Sequence, residues 1–175
     1  MQKLKKVYII IAVMGLCIGC DQVSKNLAEQ NLKSSSPRSY FGNVFRLQYA
    51  ENTGAFLSIG SGLPEFARTW LFTILSGTLL ILLFVYILVN RHFARKHVFA
   101  LSLILGGGTG NLIDRILNDG RVVDFMNMGI GRLRTGIFNI ADVVIMTGMA
   151  LILLYSFLDR ARAKSQEGSE VDEAH

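Results

Sequence analysis

The stretch FNIADVVIMTGMALILLYSFL, residues 138–158, carries one charge, Asp142, in 21 residues. That length matches the roughly 20 residues a helix needs to cross a bilayer. A carboxylate at the centre of such a helix costs about 2.5–3.5 kcal/mol on insertion scales. Asp142 follows Phe138 by four positions, about 6 Å along a helix axis. It therefore sits near one end of the run. An intramembrane acid by default faces a polar interior and marks a functional site.

Three more stretches have the same character. TWLFTILSGTLLILLFVYILV, 69–89, is free of charge. VFALSLILGGGTGNLI, 98–113, is shorter and turns glycine-rich at its end. VYIIIAVMGLCIGC, 7–20, reaches crossing length only by continuing through Asp21 and Lys25 toward Leu27. The whole chain of 175 residues is 51% apolar and 18% charged, a balance that leans toward the membrane class. The expectation is an α-helical membrane protein with four transmembrane helices, at about 7–27, 69–89, 98–113 and 138–158. They would form one membrane domain over residues 1–162. The polar tail 163–175 has few apolar residues and is predicted to be disordered.

Basic residues set the orientation. Lys3, Lys5, Lys6, Arg91, Arg95, Lys96, Arg160, Arg162 and Lys164 crowd into the two ends and the short second connection. The other side, 28–68 and 114–137, is about twice as long and holds eight Lys and Arg. Both termini are thus expected in the cytoplasm. The formal charge of +5 needs no nucleic acid, because anionic lipid accounts for basic cytoplasmic edges. Cys17 and Cys20 lie within an apolar run and define neither a disulfide framework nor a metal site. The N-terminal MQKLKKVYIIIAVMGLCIGC imitates a lipoprotein leader cut before Cys20. Three further apolar runs downstream argue for a retained first helix.

The outer segments read as small strands and turns. FRLQY (45–49) and RVVDFMNM (121–128) are strand-like, ENTG (51–54) is a turn candidate, and AFLSI (55–59) is a second apolar stretch. SGLPEFARTW (61–70) reads as an interfacial helix leading into the second crossing.

Two N-x-x-D strings close the polar inventory: Asn111 with Asp114, and Asn139 with Asp142. Positions three apart share a helix face. The third run heads outward and the fourth inward, so both strings fall near one surface. Asp21 and Lys25 reach the same level with i, i+4 spacing for an ion pair. Asp124, in VVDF, joins Asp114 and Asp142 by topology. Two carboxylates at close range raise each other's proton affinity and titrate as a unit. Such a pair can activate a water and protonate a carbonyl. Simpler readings exist for the neighbours: Asp114 and Arg115 as a helix-end ion pair, Asn111 and Asn139 as interhelical bridges. Glycines 106–108, including Gly108, permit close helix packing. A small proton-coupled transporter is the alternative function, although its acids would be expected near the bilayer midplane. No H-E-x-x-H string or G-x-S-x-G elbow is present.

The blocks DQVSK (21–25), ENTGAF (51–56), GGGTGNLIDR (106–115), VVDF (122–125) and FNIAD (138–142) together resemble the bacterial lipoprotein signal peptidases, or type II signal peptidases. That resemblance covers about Val7 to Leu158. It implies a four-helix aspartic endopeptidase of the bacterial inner membrane, with its active site near the periplasmic side. Its substrates would be diacylglyceryl-prolipoproteins, cut before the lipidated cysteine. The resemblance places the catalytic pair at Asp124 and Asp142. It assigns supporting or substrate-binding roles to Asn52, Gly54, Asn111, Asp114, Arg115, Asn139, Ala141, Asp21 and Lys25. Gly108, within the glycine block, would give the substrate backbone room. No metal or organic cofactor is required by this chemistry. Membrane lipid is the expected surrounding partner, nucleic acid is not a partner, and a monomer is expected.

Overall fold

The computed structural model describes residues 2–53, 64–90 and 92–173. Its helices are α1 (Gln2–Leu32), α2 (Glu65–Val89), α3 (Arg95–Leu117) and α4 (Ile140–Glu173). Its strands are β1 (Arg38–Tyr40), β2 (Phe45–Asn52), β3 (Val122–Ile130) and β4 (Leu133–Arg134). Leu4–Leu32, Thr69–Val89 and Ile140–Arg162 are long and apolar enough to cross a membrane. Many of their large side chains point outward, among them Leu16, Leu71, Ile74, Leu82, Met146 and Leu153. In water such surface would associate or aggregate; in lipid it costs nothing.

α3 is the central helix and packs against α1, α2 and α4. Its three consecutive glycines explain how. A Cβ on Gly106 would lie 2.7 Å from Cys17 Cβ on α1. One on Gly107 would lie 2.5 Å from the Ala141 carbonyl on α4, and one on Gly108 2.5 Å from Leu80 on α2. Successive helix positions point about 100° apart, so three adjacent glycines serve three neighbours. The room that Gly108 was expected to leave for a substrate backbone is filled by Leu80. Close approach of helices is the role these glycines play.

The strands form one antiparallel sheet, in the order β1-β2-β3-β4. Phe125 of β3 packs with Ala28 and Leu32 of α1, with Leu47, Tyr49 and Ile140 around them. This cluster fixes the sheet to the end of α1 and the start of α4.

Several expectations are corrected. Glu51 and Asn52, read as the start of a turn, continue β2 and pair with Val123 and Val122. Alternation was blind to the irregularity between Leu47 and Ala50. The interfacial helix expected at 61–70 is not separate where it is described. Pro64 precedes α2, and no further proline follows before Val89, so 65–70 are its first turns. AFLSI (55–59) and Gly54 lie outside the described residues. In the tail, expected to be disordered, α4 continues to Glu173.

Candidate functional site

Asn139 is the residue on which the site turns. It stands immediately before α4 and caps it. Its side-chain oxygen accepts the Asp142 backbone N–H at 2.9 Å. Asp142 Oδ2 in return accepts the Asn139 backbone N–H at 3.1 Å. This reciprocal pair has the geometry of a capping box, with Asn and Asp in the two roles. The N-x-x-D spacing is therefore a cap, not two residues sharing a helix face. It answers part of the puzzle of Asp142: the acid sits at the positive end of α4, where a carboxylate is favoured.

The remaining side of Asn139 meets β3. Its Nδ2 donates to Asp124 Oδ1 at 2.7 Å, and also approaches Asn111 Oδ1 at 3.0 Å and the Val123 carbonyl at 3.3 Å. One asparagine thus touches both Asp124 and Asp142. Asn52, at the end of β2, donates to Asp124 Oδ2 at 3.0 Å. Asp124 is 2% exposed. Burial pushes its carboxyl up to about 6, and the neighbouring charge of Asp142 pushes the same way, against the lowering effect of the Asn52 and Asn139 amides.

Behind this pair lies a buried ionic cluster. Lys25 Nζ contacts Asp21 Oδ2 at 2.7 Å, Asp114 Oδ2 at 2.9 Å and Asn111 Oδ1 at 2.9 Å. An ammonium has three protons, and each finds an acceptor. The carboxylates gain further donors. Asp21 Oδ1 accepts the Ala141 N–H at 2.8 Å, and Asp114 accepts Gln22 Nε2 at 2.8 Å and the Val123 N–H at 3.1 Å. The expected Asp21–Lys25 pair is present. Asp114 is salt-bridged to Lys25, so the simple helix-end pair with Arg115 is not its role. Gln22, inside the DQVSK block, was not singled out. Its neighbours Asp21 and Lys25 carried the only signal that it faces the same cluster.

The cluster fixes an amide orientation. Asn111 Oδ1 accepts from Lys25 and from Asn139, so its Nδ2 must face the other way. There it donates to Asp142 Oδ1 at 2.9 Å. A line of hydrogen bonds therefore runs from Lys25 through Asn111 to Asp142.

Arg115 lies within electrostatic reach of Asp142, Asp114 and Asp124. It also borders a cavity of about 670 Å³ between α2 and α3, whose wall includes Phe66, Trp70 and Thr73. The Arg115 Nε and Thr73 Oγ1 there are buried and have no hydrogen-bond partner among the described residues. Ala141 is fully buried and contributes its backbone N–H to Asp21. Among the described residues, no group of three or more His, Cys, Asp and Glu is arranged to hold a metal ion.

Apolar helices around a central glycine-packed helix, with a small sheet over one end, define a helical membrane protein. The family model for signal peptidase (SPase) II matches residues 13–158, and the chain belongs to this lipoprotein signal peptidase family. The lipoprotein signal peptidase of Leifsonia xyli subsp. xyli (strain CTCB07) is 35% identical in an alignment that covers 95% of this chain and 76% of that protein. That of Borreliella afzelii (strain PKo) is 36% identical in an alignment that covers 82% of this chain and 86% of that protein. A solved bacterial membrane enzyme matches with a TM-score of 0.72 and 28% identity, over 87% of this chain and 90% of its own.

Proposed function

We propose that this chain is an aspartic endopeptidase that removes signal peptides from lipoprotein precursors, cutting before a diacylglyceryl-modified cysteine. The observation that carries the reading is Asp124 and Asp142 held by one asparagine where the sheet meets the helices. Asp142 receives two N–H donors and the positive end of α4, which suits it to be the ionised member. Asp124, more deeply buried, suits the shared proton.

The steps balance with these two groups alone. Asp142 takes a proton from a water whose oxygen bonds to the scissile carbonyl carbon. Asp124 gives its proton to the carbonyl oxygen, forming a neutral gem-diol. On collapse the C–N bond breaks and Asp142 passes its proton to the leaving amine. Asp124 recovers a proton from one gem-diol hydroxyl, leaving a carboxylic acid. Asn52 and Asn139 hold Asp124 in place. Arg115 and the adjoining cavity would receive the peptide and its acyl chains laterally from lipid.

In this reading α3 is a fourth crossing, whose polar end is covered by α1, α4 and β3. Both termini lie in the cytoplasm, the site lies at the periplasmic face of the inner membrane, and the protein works as a monomer. The test is to change Asp124 and Asp142 separately to Asn and follow prolipoprotein processing in membranes. Lipid-modified precursor should accumulate in both. Normal processing by a folded Asp142→Asn protein sinks the proposal.

A further inference from the structure

At the end of the bundle opposite the aspartates, a second cavity of about 390 Å³ opens between the end of α2, the start of α3 and α4. Phe93, Leu101 and Ile152 form its apolar wall, while Asn90, His92 and Ser156 supply polar groups. Tyr86 meets Phe93 edge-to-face at 5.2 Å, and Phe93 stacks on His97 at 6.1 Å. The wall is therefore built from interlocked aromatic rings. The apolar run of α2 ends at Val89. The cavity thus lies where hydrocarbon gives way to water, the depth at which aromatic side chains concentrate.

Basic residues outnumber acids at this end: Lys5, Lys6, Arg95, Lys96, Arg160 and Arg162 flank the cavity with Asp159, and the sequence adds Lys164, Glu167, Glu170, Asp172 and Glu173 further along α4. Lys6 Nζ donates to the Asn90 carbonyl at 2.6 Å, which brings a cation to the rim. Asp159 is already engaged by Lys96 at 2.5 Å and faced by His97 Nε2 at 3.4 Å. Arg162 is also within electrostatic reach of Asp159. The peptidase chemistry uses none of these groups. An amphipathic cavity with a basic collar between membrane helices fits a phosphate head attached to acyl chains.

We propose that this cavity binds the head of an anionic phospholipid from the leaflet opposite the aspartates. The phosphate lies by Asn90, His92 and Ser156 near Lys6, and the first acyl carbons lie along Leu101 and Ile152. The site ties the α2–α3 connection to α4 through lipid. It does not depend on the assignment of the catalytic aspartates.

The test uses the full-length protein in mild detergent, mixed with phosphatidylglycerol or phosphatidylcholine, with retained lipid read by native mass spectrometry. Phosphatidylglycerol should be retained preferentially. Ser156→Leu, which fills the cavity without changing charge, should abolish that preference. Lys6→Gln should weaken it roughly fivefold, the scale of one basic contact with anionic lipid. Both variants should keep wild-type peptidase activity, which also reports that they fold. Equal retention of the two lipids, or unchanged retention in an active Ser156→Leu protein, overturns the proposal. Displacement of the lipid by an equal concentration of inorganic phosphate overturns it too, by assigning the site to a soluble anion.

Discussion

Asn139 and Asp142 cap each other: the asparagine oxygen takes the Asp142 N–H at 2.9 Å, and the aspartate takes the Asn139 N–H at 3.1 Å. The same asparagine reaches Asp124 with its amide. Helix start and acid pair are thus one construction. Asn139→Ser keeps an N-cap oxygen but is too short to reach Asp124. Both Asn139→Ser and Asn139→Ala lose the buried amide donor, at about 1–3 kcal/mol, and only Asn139→Ala also loses the cap, at about 1 kcal/mol more. Peptidase activity should fall by about 10² or more in both. Thermal melts and processing assays on the two variants check this. Full activity in the serine variant would deny Asn139 its place at Asp124.

The Asp124 carboxyl, pushed up to about 6 from an ordinary 3.8, gives a signed pH prediction. The proposed chemistry needs Asp124 protonated, so kcat/KM should decline as pH rises through about 6. Removing the Asn52 amide takes away a donor that favours the carboxylate, so Asn52→Leu should move that limb to higher pH. A pH–rate profile on a lipopeptide substrate decides it; a shift to lower pH contradicts the role of Asn52.

The same shift has a stability consequence. A carboxyl with a raised folded-state value binds its proton more tightly when folded. Its stabilising contribution is present below the unfolded value and is lost as pH climbs through the folded one. Between about pH 4 and 6 the loss approaches about 3 kcal/mol at order of magnitude. Tm should therefore fall from pH 5 to pH 7, and the fall should be smaller in Asp124→Asn. An unchanged Tm slope in that variant removes Asp124 from the explanation.

Lys25 neutralises two buried acids, and breaking such a cluster at one member costs about 3–5 kcal/mol. Lys25→Met should be poorly folded or strongly destabilised. Combining it with Asp21→Asn and Asp114→Asn should recover part of the stability, because fewer uncompensated charges stay buried. Melting curves in detergent check the sign. Recovered stability without recovered activity would show that the line through Asn111 to Asp142 needs the ammonium.

Adjacent glycines of α3 should differ in tolerance. Gly107→Ala drives a methyl against the Ala141 backbone carbonyl, which cannot yield without moving α4. Gly108→Ala meets the end of the Leu80 side chain, which can change rotamer. Gly107→Ala should lose more stability, by about 1–3 kcal/mol of overpacking, and should disturb the first turn of α4 beside Asp142. Equal tolerance at both positions would contradict the packing order around α3.

Legible from the residues alone were the apolar runs, the strand alternation around Asp124 and the short list of polar residues inside membrane-length segments. These signals are local: each depends on neighbours a few positions away and on the cost of charge in hydrocarbon. The Asp21–Lys25 pair was legible for the same reason, being one helical turn apart. Which partners those residues take depends on how the helices and sheet close on one another. Lys25 finds Asn111 across 86 positions, and Ala141 finds Asp21 across 120. No period in the chain records such meetings. Asn139 and Asp142 were read as sharing a helix face because spacing alone cannot distinguish a helical residue from the cap before it. Gly108 was read as room for substrate because its occupant, Leu80, arrives from another helix. Composition and spacing fix what each segment must bury or expose; the closure of hydrogen bonds among distant segments fixes which atom meets which.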